Sequence, residues 1–357
     1  MHILHVVGAR PNFMKAAPVL RALGRDVRVR QTLVHTGQHY DANMSSVFFE
    51  QLNISPPEVN LGVGSGSHAQ QTAKIMSCLE PVLLERKPDW VTVYGDVNST
   101  VASALVCAKL NIKVAHVEAG LRSFDRTMPE EINRLLTDQI ADLLFTPSED
   151  GNRNLEREGV APERVRLVGN VMIDTLVRLL PQAALTVPPD LPARFALVTL
   201  HRPSNVDEPG RLRGIIEELC WLAHEIDVFF PVHPRTRRRL EESGWMAECS
   251  RLHLTEPMGY LEFLGLQQRA TVVLTDSGGV QEETTFLGVP CLTLRENTER
   301  PITMSLGTNT LLGHDMQRLR SELVRVLGGE QKRGRVPHLW DGHAADRIAG
   351  EFLSLMP

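Results

Sequence analysis

The most informative chemistry-bearing segment of the 357-residue chain is VVLTDSGGVQEE, residues 272–283. An apolar strand leads into Ser-Gly-Gly at a helix start, where N–H groups lack helical partners and the dipole is positive. Two glycines allow a phosphate to approach the backbone, so the segment predicts a pyrophosphate site. Glu282 or Glu283 in the first turn suits a ribose diol. The structural alternative is an ordinary helix start capped by Asp276 or Ser277.

A second strand-turn-helix segment is VVGARP, residues 6–11. It lacks the G-x-G-x-x-G spacing of dinucleotide-binding proteins. Arg10 and Lys15 follow the turn and are placed to meet a phosphate. The alternative is that both are solvated basic residues near a helix start.

Acidic residues follow two further predicted strands. Asp96 lies in YGD, Glu118 in HVEAG, and Glu130 and Glu131 in MPEE. Carboxylates gathered in a cleft raise one another's pKa, which suits general acid or base catalysis. Each acid alone is equally typical of a helix N-cap.

Two histidines follow successive strands of the second half of the chain. His201 and Arg202 come after one strand, and His233 comes after the next. A structural histidine is the alternative in each case, and the spacing does not favour a metal site. Residues 62–66 are predicted to form a mobile glycine-rich loop, and residues 235–239 (RTRRR) a solvated helix face.

Short β-rich runs alternate with helical runs of ten or more residues, which predicts parallel, doubly wound α/β sheets. The predicted strands are residues 3–7, 27–35, 90–94, 113–117, 143–146, 165–168, 195–200, 228–232, 252–255, 271–275 and 290–294. A helix over residues 172–180 is followed by a Pro-rich candidate linker, residues 181–192. Ligands of such sheets bind beyond the carboxyl ends of the strands. Two halves therefore predict a site in the cleft between them.

Composition excludes several classes of protein. Hydrophobic residues make up 42% and the formal net charge is −5, which favours a globular core and argues against general nucleic-acid binding. Five scattered cysteines without C-x-x-C spacing argue against a disulfide scaffold or zinc cluster. No signal peptide or run of 18–20 apolar residues is evident. We therefore expect a cytoplasmic protein that does not bind membranes.

Seven motifs in order closely resemble the non-hydrolysing UDP-N-acetylglucosamine 2-epimerases. They are GARP (8–11), TGQH (36–39), VEAGLR (117–122), PEEINR (129–134), GNVMID (169–174), DSGGVQEE (276–283) and TERP (298–301). The resemblance implies a fold of two Rossmann-like domains like that of GT-B glycosyltransferases, with residues 1–171 and 172–342 as the domains. It also implies that a last helix, residues 343–357, packs back on the first domain, and that the protein is a homodimer.

The resemblance further implies reversible epimerisation at C2 of UDP-N-acetylglucosamine, giving UDP-N-acetylmannosamine. UDP is eliminated to give a 2-acetamidoglucal and then adds back, without a cofactor or metal. The residues implied to be catalytic are Asp96, Glu118, Glu130 and His201. Those implied to bind substrate are Arg10, Lys15, Arg122, His201, Ser277, Gly278, Gly279, Glu283 and Arg300.

The chain departs from the family pattern at Asn12, at Ile302 and within residues 201–205 (HRPSN), where a second Arg and a Glu are missing. The missing Arg lies at the family's site for a second, activating UDP-N-acetylglucosamine. Residues that still match that site are Gln38, His39 and His233. Residues 35–52 also resemble the subgroup acting on UDP-diacetamido uronic acids, which leaves the exact sugar open.

Three other functions are weighed against the epimerase. A hydrolysing relative would release free N-acetylmannosamine and UDP, and sequence motifs barely separate the two. A GT-B glycosyltransferase would share the fold, but it needs no base at C2, which Asp96, Glu118 and Glu130 would supply. A catalytically silent nucleotide-sugar sensor would not need these acids.

Overall fold

A computed structural model describes residues 1–38, 46–243, 245 and 249–356. The chain forms two compact units, Met1–Thr175 with His338–Pro357, and Leu176–Pro337. The sequence predicts the divisions after residues 171 and 342, whereas the units divide after residues 175 and 337.

The first unit contains a seven-stranded parallel sheet in the order β3-β2-β1-β4-β5-β6-β7. Its strands are β1 (His2–Val7), β2 (Arg30–His35), β3 (Val59–Asn60), β4 (Trp90–Tyr94), β5 (Lys113–Val117), β6 (Leu143–Thr146) and β7 (Val165–Leu167). Its helices are α1 (Arg10–Leu23), α2 (Ser46–Leu52), α3 (His68–Arg86), α4 (Asn98–Lys109), α5 (Pro129–Ile140), α6 (Glu149–Arg157), a 3₁₀ turn (Pro162–Arg164) and α7 (Val171–Leu185), which runs on into the second unit.

The second unit contains a six-stranded parallel sheet in the order β10-β9-β8-β11-β12-β13. Its strands are β8 (Phe195–Thr199), β9 (Asp227–Pro231), β10 (Leu252–Thr255), β11 (Val272–Thr275), β12 (Cys291–Thr293) and β13 (Asn309–Leu311). Its helices are α8 (Pro203–Val206), α9 (Pro209–Glu225), α10 (Pro234–Ser243), α11 (Tyr260–Arg269), α12 (Gly278–Leu287), α13 (Pro301–Ser305) and α14 (Met316–Leu327), and the last helix of the chain is α15 (Ala344–Ser354).

The central strands β1, β4 and β11 are buried along their whole length. Such continuous burial is typical of parallel strands covered by helices on both faces. In each sheet the strand order reverses at the central pair, between β1 and β4 and between β8 and β11. Ligands of doubly wound sheets bind at this switch point. The two doubly wound sheets confirm the predicted fold class.

The C-terminal segment, residues 338–357, belongs to the first unit, where α15 packs against α1. The Asp174 carboxylate accepts hydrogen bonds from the backbone N–H groups of Ala344 and Ala345 at 3.1 and 2.7 Å. Phe352 packs against the rings of Trp90 and Phe145. A capped helix start and an aromatic cluster thus hold this segment in place.

Helix α7 differs from the prediction. It continues through Pro181 to Leu185, because buried Leu176, Leu179 and Ala183 keep its apolar face in the core. The predicted linker therefore begins later. Residues 62–66, the predicted glycine-rich loop, contain the buried residue Val63, which donates its N–H to the Thr36 carbonyl at 3.0 Å.

Two contacts in the second unit were not predicted. Residues 235–239 lie within α10, and Arg239 donates to the Val206 carbonyl and Asp207 carboxylate, both at 2.9 Å. Cys220 and Cys249 form a disulfide, although the cysteine spacing argued against a disulfide scaffold. The two cysteines lie 29 positions apart in the sequence, so no local pattern indicated this pairing. No helix in the described part of the chain is long and apolar enough to cross a membrane.

Candidate functional site

The turn after β1 is built by a buried amide. Asn12 is 2% exposed, and its Oδ1 accepts hydrogen bonds from the N–H groups of Gly8 and Ala9, both at 3.0 Å. Its Nδ2 donates to the Tyr94 carbonyl at the end of β4, at 2.9 Å. The residue that departs from the family pattern therefore ties two central strands together. Arg10, the first residue of α1, is half-buried beside this turn.

Lys15 and Glu118 form a buried ion pair, with Nζ 2.7 Å from Oε1. Glu118 adopts a left-handed φ of 74°, which is rare for a residue with a side chain. Gly95, also left-handed at φ 65°, lies so close that an added Cβ would come 2.8 Å from Lys15 Nζ. Lys15 of α1 and the residues that follow β4 and β5 thus converge near the switch point between β1 and β4. Strained backbone held in this way is common at functional sites.

The other predicted acids take different positions. Asp96 forms an ion pair with Arg134 Nη1, while Arg134 Nη2 donates to Glu131 at 2.7 Å. Burial opposes ionisation of Glu131, but N–H donors from Ser123 and the Arg134 guanidinium keep its pKa below the usual value. Glu131 therefore fixes a loop. Glu130 is half-buried and lines a polar cavity of about 270 Å³.

Arg122, which the family resemblance implied to bind substrate, is buried and ion-paired within the first unit. The side chain is 1% exposed, and its Nη2 lies 2.7 Å from both Asp138 and Glu158. Its Nη1 donates to the Leu121 carbonyl at 2.7 Å. The guanidinium is therefore occupied inside the first unit, by acids 16 and 36 residues further along the chain.

Of the three residues matched to an activating site, the structure describes two, one in each unit. Gln38 belongs to the first unit, where its Oε1 accepts hydrogen bonds from Ser99 N and Oγ at 2.9 and 2.6 Å. It borders the same cavity as Glu130. His39 lies outside the described residues. His233 belongs to the second unit and is exposed after β9.

In the second unit, a buried carboxylate orients His201. Asp276 follows β11, is fully buried, and lies 3.0 Å from the His201 Nδ1 atom. It also accepts from Arg202 N and Asn205 Nδ2, both at 3.0 Å. Burial raises its pKa, but these donors outweigh that effect and hold the pKa below the usual value. The sequence suggested Asp276 as a helix cap, but its carboxylate instead holds the loop after β8. The His201 imidazole bound to it remains exposed.

The start of α12 has the features of an anion site. Ser277 is the N-cap residue, and its side chain makes no capping hydrogen bond. An added Cβ on Gly278 would come 2.5 Å from Arg300 Nη1, whereas one on Gly279 would meet no protein atom within 4 Å. The Arg300 guanidinium therefore lies against the first turn of the helix. A cation and a positive helix end together favour a phosphate group.

The two acids considered for the ribose, Glu282 and Glu283, have different partners. Glu282 lies 2.9 Å from Arg300 Nε and forms an ion pair with it. Glu283 instead accepts a hydrogen bond from Tyr260 at 2.8 Å, and burial raises its pKa to about 7. Tyr260 was missed from the sequence, because no local pattern relates it to an acid 23 residues away.

Among the described residues, no group of three or more His, Cys, Asp and Glu side chains is arranged to hold a metal ion. The sites described so far therefore consist of carboxylates, imidazole, guanidinium groups and helix N–H groups. This set can move protons and bind anionic phosphates.

Comparison with known proteins agrees with this set of groups. The family model described as UDP-N-acetylglucosamine 2-epimerase matches residues 21–353. The UDP-N-acetylglucosamine 2-epimerase of Methanocaldococcus jannaschii is 42% identical over 98% of both chains. The UDP-2,3-diacetamido-2,3-dideoxy-D-glucuronate 2-epimerase of Pseudomonas aeruginosa is 45% identical over 99% of both chains.

Solved structures agree with the sequence relatives. The crystal structure of the M. jannaschii enzyme in complex with UDP-GlcNAc and UDP has a TM-score of 0.88, with 42% identity over 99% of this chain and 100% of that one. A lipopolysaccharide outer core galactosyltransferase has a TM-score of 0.61 at 16% identity, covering 100% of both chains, and shows the shared GT-B-like fold alone. The chain therefore belongs to the UDP-N-acetylglucosamine 2-epimerase family, whose members are isomerases.

Proposed function

We propose that this protein interconverts UDP-N-acetylglucosamine and UDP-N-acetylmannosamine at C2. The observation that carries the proposal is the buried pair of Lys15 and Glu118 at 2.7 Å, with Glu118 in a left-handed conformation. A carboxylate fixed at a switch point suits proton transfer to or from a sugar carbon. The neighbouring ammonium suits the negative charge of a departing diphosphate.

The proposed reaction is an anti elimination followed by re-addition. A carboxylate takes the C2 proton, the C1–O bond to UDP breaks, and a C1–C2 double bond forms in 2-acetamidoglucal. UDP then adds back at C1 while an acid protonates C2 on the opposite face, so that no atom is gained or lost overall. We assign these proton transfers to Asp96, Glu118 and Glu130, without assigning each to a face, and we assign a catalytic role to His201.

The departing UDP is assigned to the second unit. Gly278, Gly279 and Ser277 present helix N–H groups, and Arg300 lies against the same turn. Glu283 is assigned to the ribose. Donors placed in advance around a leaving group stabilise the charge that develops on it. Arg10 and His201 are assigned to the phosphates as well.

A second substrate is favoured by one finding. The relative acting on a UDP-diacetamido glucuronate is 45% identical over almost the whole chain, which is as similar as the relatives acting on UDP-N-acetylglucosamine. The test is a proton NMR time course in D2O with each nucleotide sugar. Formation of the epimer with deuterium at C2 supports the proposal for that sugar. Release of free N-acetylmannosamine and UDP indicates a hydrolysing enzyme. No change at C2 with either sugar contradicts the proposal.

The role of Glu118 has its own test. We expect E118Q to lower kcat by more than about 100-fold, the usual scale for a lost acid or base group. UDP affinity, measured by calorimetry, should stay close to that of the unmodified protein, because the substitution keeps Lys15 and Arg10, and the helix N–H groups and Arg300 assigned to UDP lie in the second unit. E149Q is the control, since the Glu149 side chain is 63% exposed in the same unit. Unchanged kcat in E118Q would remove Glu118 from the mechanism.

A homodimer and a cytoplasmic location complete the proposal and rest on the family resemblance. Sedimentation velocity of the purified protein tests the dimer, and a monomer at micromolar concentration would contradict it. Fractionation of the native host tests the location.

A further inference from the structure

His116 makes two hydrogen bonds that its neutral ring cannot make together. It lies on β5, two residues before Glu118, and is fully buried. Its Nδ1 lies 2.7 Å from Asp138 Oδ1, and its Nε2 lies 2.8 Å from the Gly95 carbonyl oxygen. A neutral imidazole has one donor and one acceptor nitrogen. A backbone carbonyl only accepts, so Nε2 must carry a hydrogen.

The state of Asp138 decides the second nitrogen. Its Oδ2 lies 2.7 Å from Arg122 Nη2 and accepts the N–H of Gly120 at 3.1 Å. Burial raises the pKa of this carboxyl, whereas Arg122 lowers it, and the two donors to Oδ2, Arg122 Nη2 and Gly120 N, favour the ionised form independently of His116. An ionised Asp138 only accepts, so Nδ1 must carry a hydrogen as well.

We infer from these two hydrogen bonds that His116 is an imidazolium that positions the candidate acids Asp96 and Glu118. The charges around it balance: two cations, His116 and Arg122, face two anions, the buried Asp138 and the partly exposed Glu158. Buried charges persist when they are paired in this way. Other charged groups at these strand ends have their own partners, since Lys15 pairs with Glu118, and Arg134 pairs with Asp96 and Glu131.

His116 and Asp138 hold peptide groups close to Asp96 and Glu118 in the chain. The Gly95 carbonyl belongs to the peptide group that leads into Asp96, and Gly95 N donates to the Val117 carbonyl at 3.0 Å. The turn carrying Asp96 is therefore clamped from both sides of Gly95. Asp138 likewise holds Gly120 N, two residues after Glu118. One charged pair thus fixes both turns.

The protonation state is tested directly by NMR of the full-length protein carrying 15N-labelled histidine. We expect both ring nitrogens of His116 to show imidazolium shifts at pH 7. His5 is the internal control, because it is equally buried and burial lowers its pKa to about 3, which keeps its ring neutral. D138N, which replaces the anion, should convert His116 to a neutral ring with hydrogen on Nε2. A neutral His116 in the unmodified protein would overturn the inference.

The kinetic consequence rests on the proposed function. H116Q keeps a donor for Gly95 but loses the charge, so we expect kcat to fall about 10- to 100-fold, the scale for misplaced catalytic groups, with KM changed less than about threefold. H5Q should leave kcat within about threefold. Unchanged kcat in H116Q would overturn the positioning role. If no epimerase activity is found in the unmodified protein, the proposed function fails, while NMR still decides the charge on His116.

Discussion

Burial of Glu283 makes the stability of the second unit depend on pH. The carboxyl is 4% exposed, and burial raises its pKa from 4.5 to about 7, although the hydrogen bonds from Tyr260 and Gln267 act in the opposite direction. Between these two values the folded chain holds a proton that the unfolded chain has lost. Stability therefore falls as the pH rises from 4.5 through 7. At 1.36 kcal/mol per pH unit, the interval corresponds to about 3 kcal/mol.

The variant E283Q removes this dependence, because an amide is neutral throughout and its oxygen still accepts from Tyr260. At pH 5 it should be about as stable as the unmodified protein. At pH 8 it should be more stable by up to about 3 kcal/mol, which corresponds to about 6–12 °C in Tm for a unit of this size. Thermal unfolding followed by circular dichroism at pH 5, 6, 7 and 8 measures the difference.

The control is E217Q, which removes an acid that is 59% exposed in the same unit. Its Tm should follow that of the unmodified protein at every pH. A Tm difference between E283Q and the unmodified protein that stays constant from pH 5 to pH 8 would refute the assignment of the raised pKa to Glu283.

Two other substitutions test the anion site and the C-terminal segment. G278A should displace Arg300 and raise the calorimetric Kd for UDP by about tenfold or more, the value of one charge-assisted hydrogen bond. G279A, which meets no protein atom within 4 Å, is the control for folding, and UDP affinity in G278A equal to that of the unmodified protein would contradict the site. D174A loses both hydrogen bonds to the start of α15 and should lower the free energy of unfolding by about 0.5–2 kcal/mol, as for other helix caps. An unchanged thermal transition in D174A would contradict that role.

Local patterns in the sequence predicted the elements well, because periodicity reports which faces of the chain are buried. The runs that became β1, β4 and β11 are apolar on both faces, and the polar residues that follow them lie at the switch points. Helix α7 shows the limit of such patterns. Pro181 predicted a break, but the packing of Leu179 and Ala183 on either side of it maintains the helix.

The partners of individual side chains could not be predicted in the same way. Arg122 sits in a motif that implied substrate binding, yet its partners are Asp138 and Glu158. Charges paired across the fold leave no periodic signal, so a single sequence does not separate a buried ion pair from a ligand contact. The partners of His116 could not be predicted either, because they lie in the turn after β4 and on α5.

The return of the last helix to the first unit affects how the protein is made. Residues 338–357 are synthesised after the second unit, yet Asp174 accepts the first N–H groups of α15, and α15 covers an aromatic cluster in the first unit. Domains fold during synthesis as their residues emerge. The second unit has all its residues before the first unit does. The first unit is therefore begun before the second unit and completed after it, and a chain that stops shortly after residue 337 contains a complete second unit and an unfinished first unit.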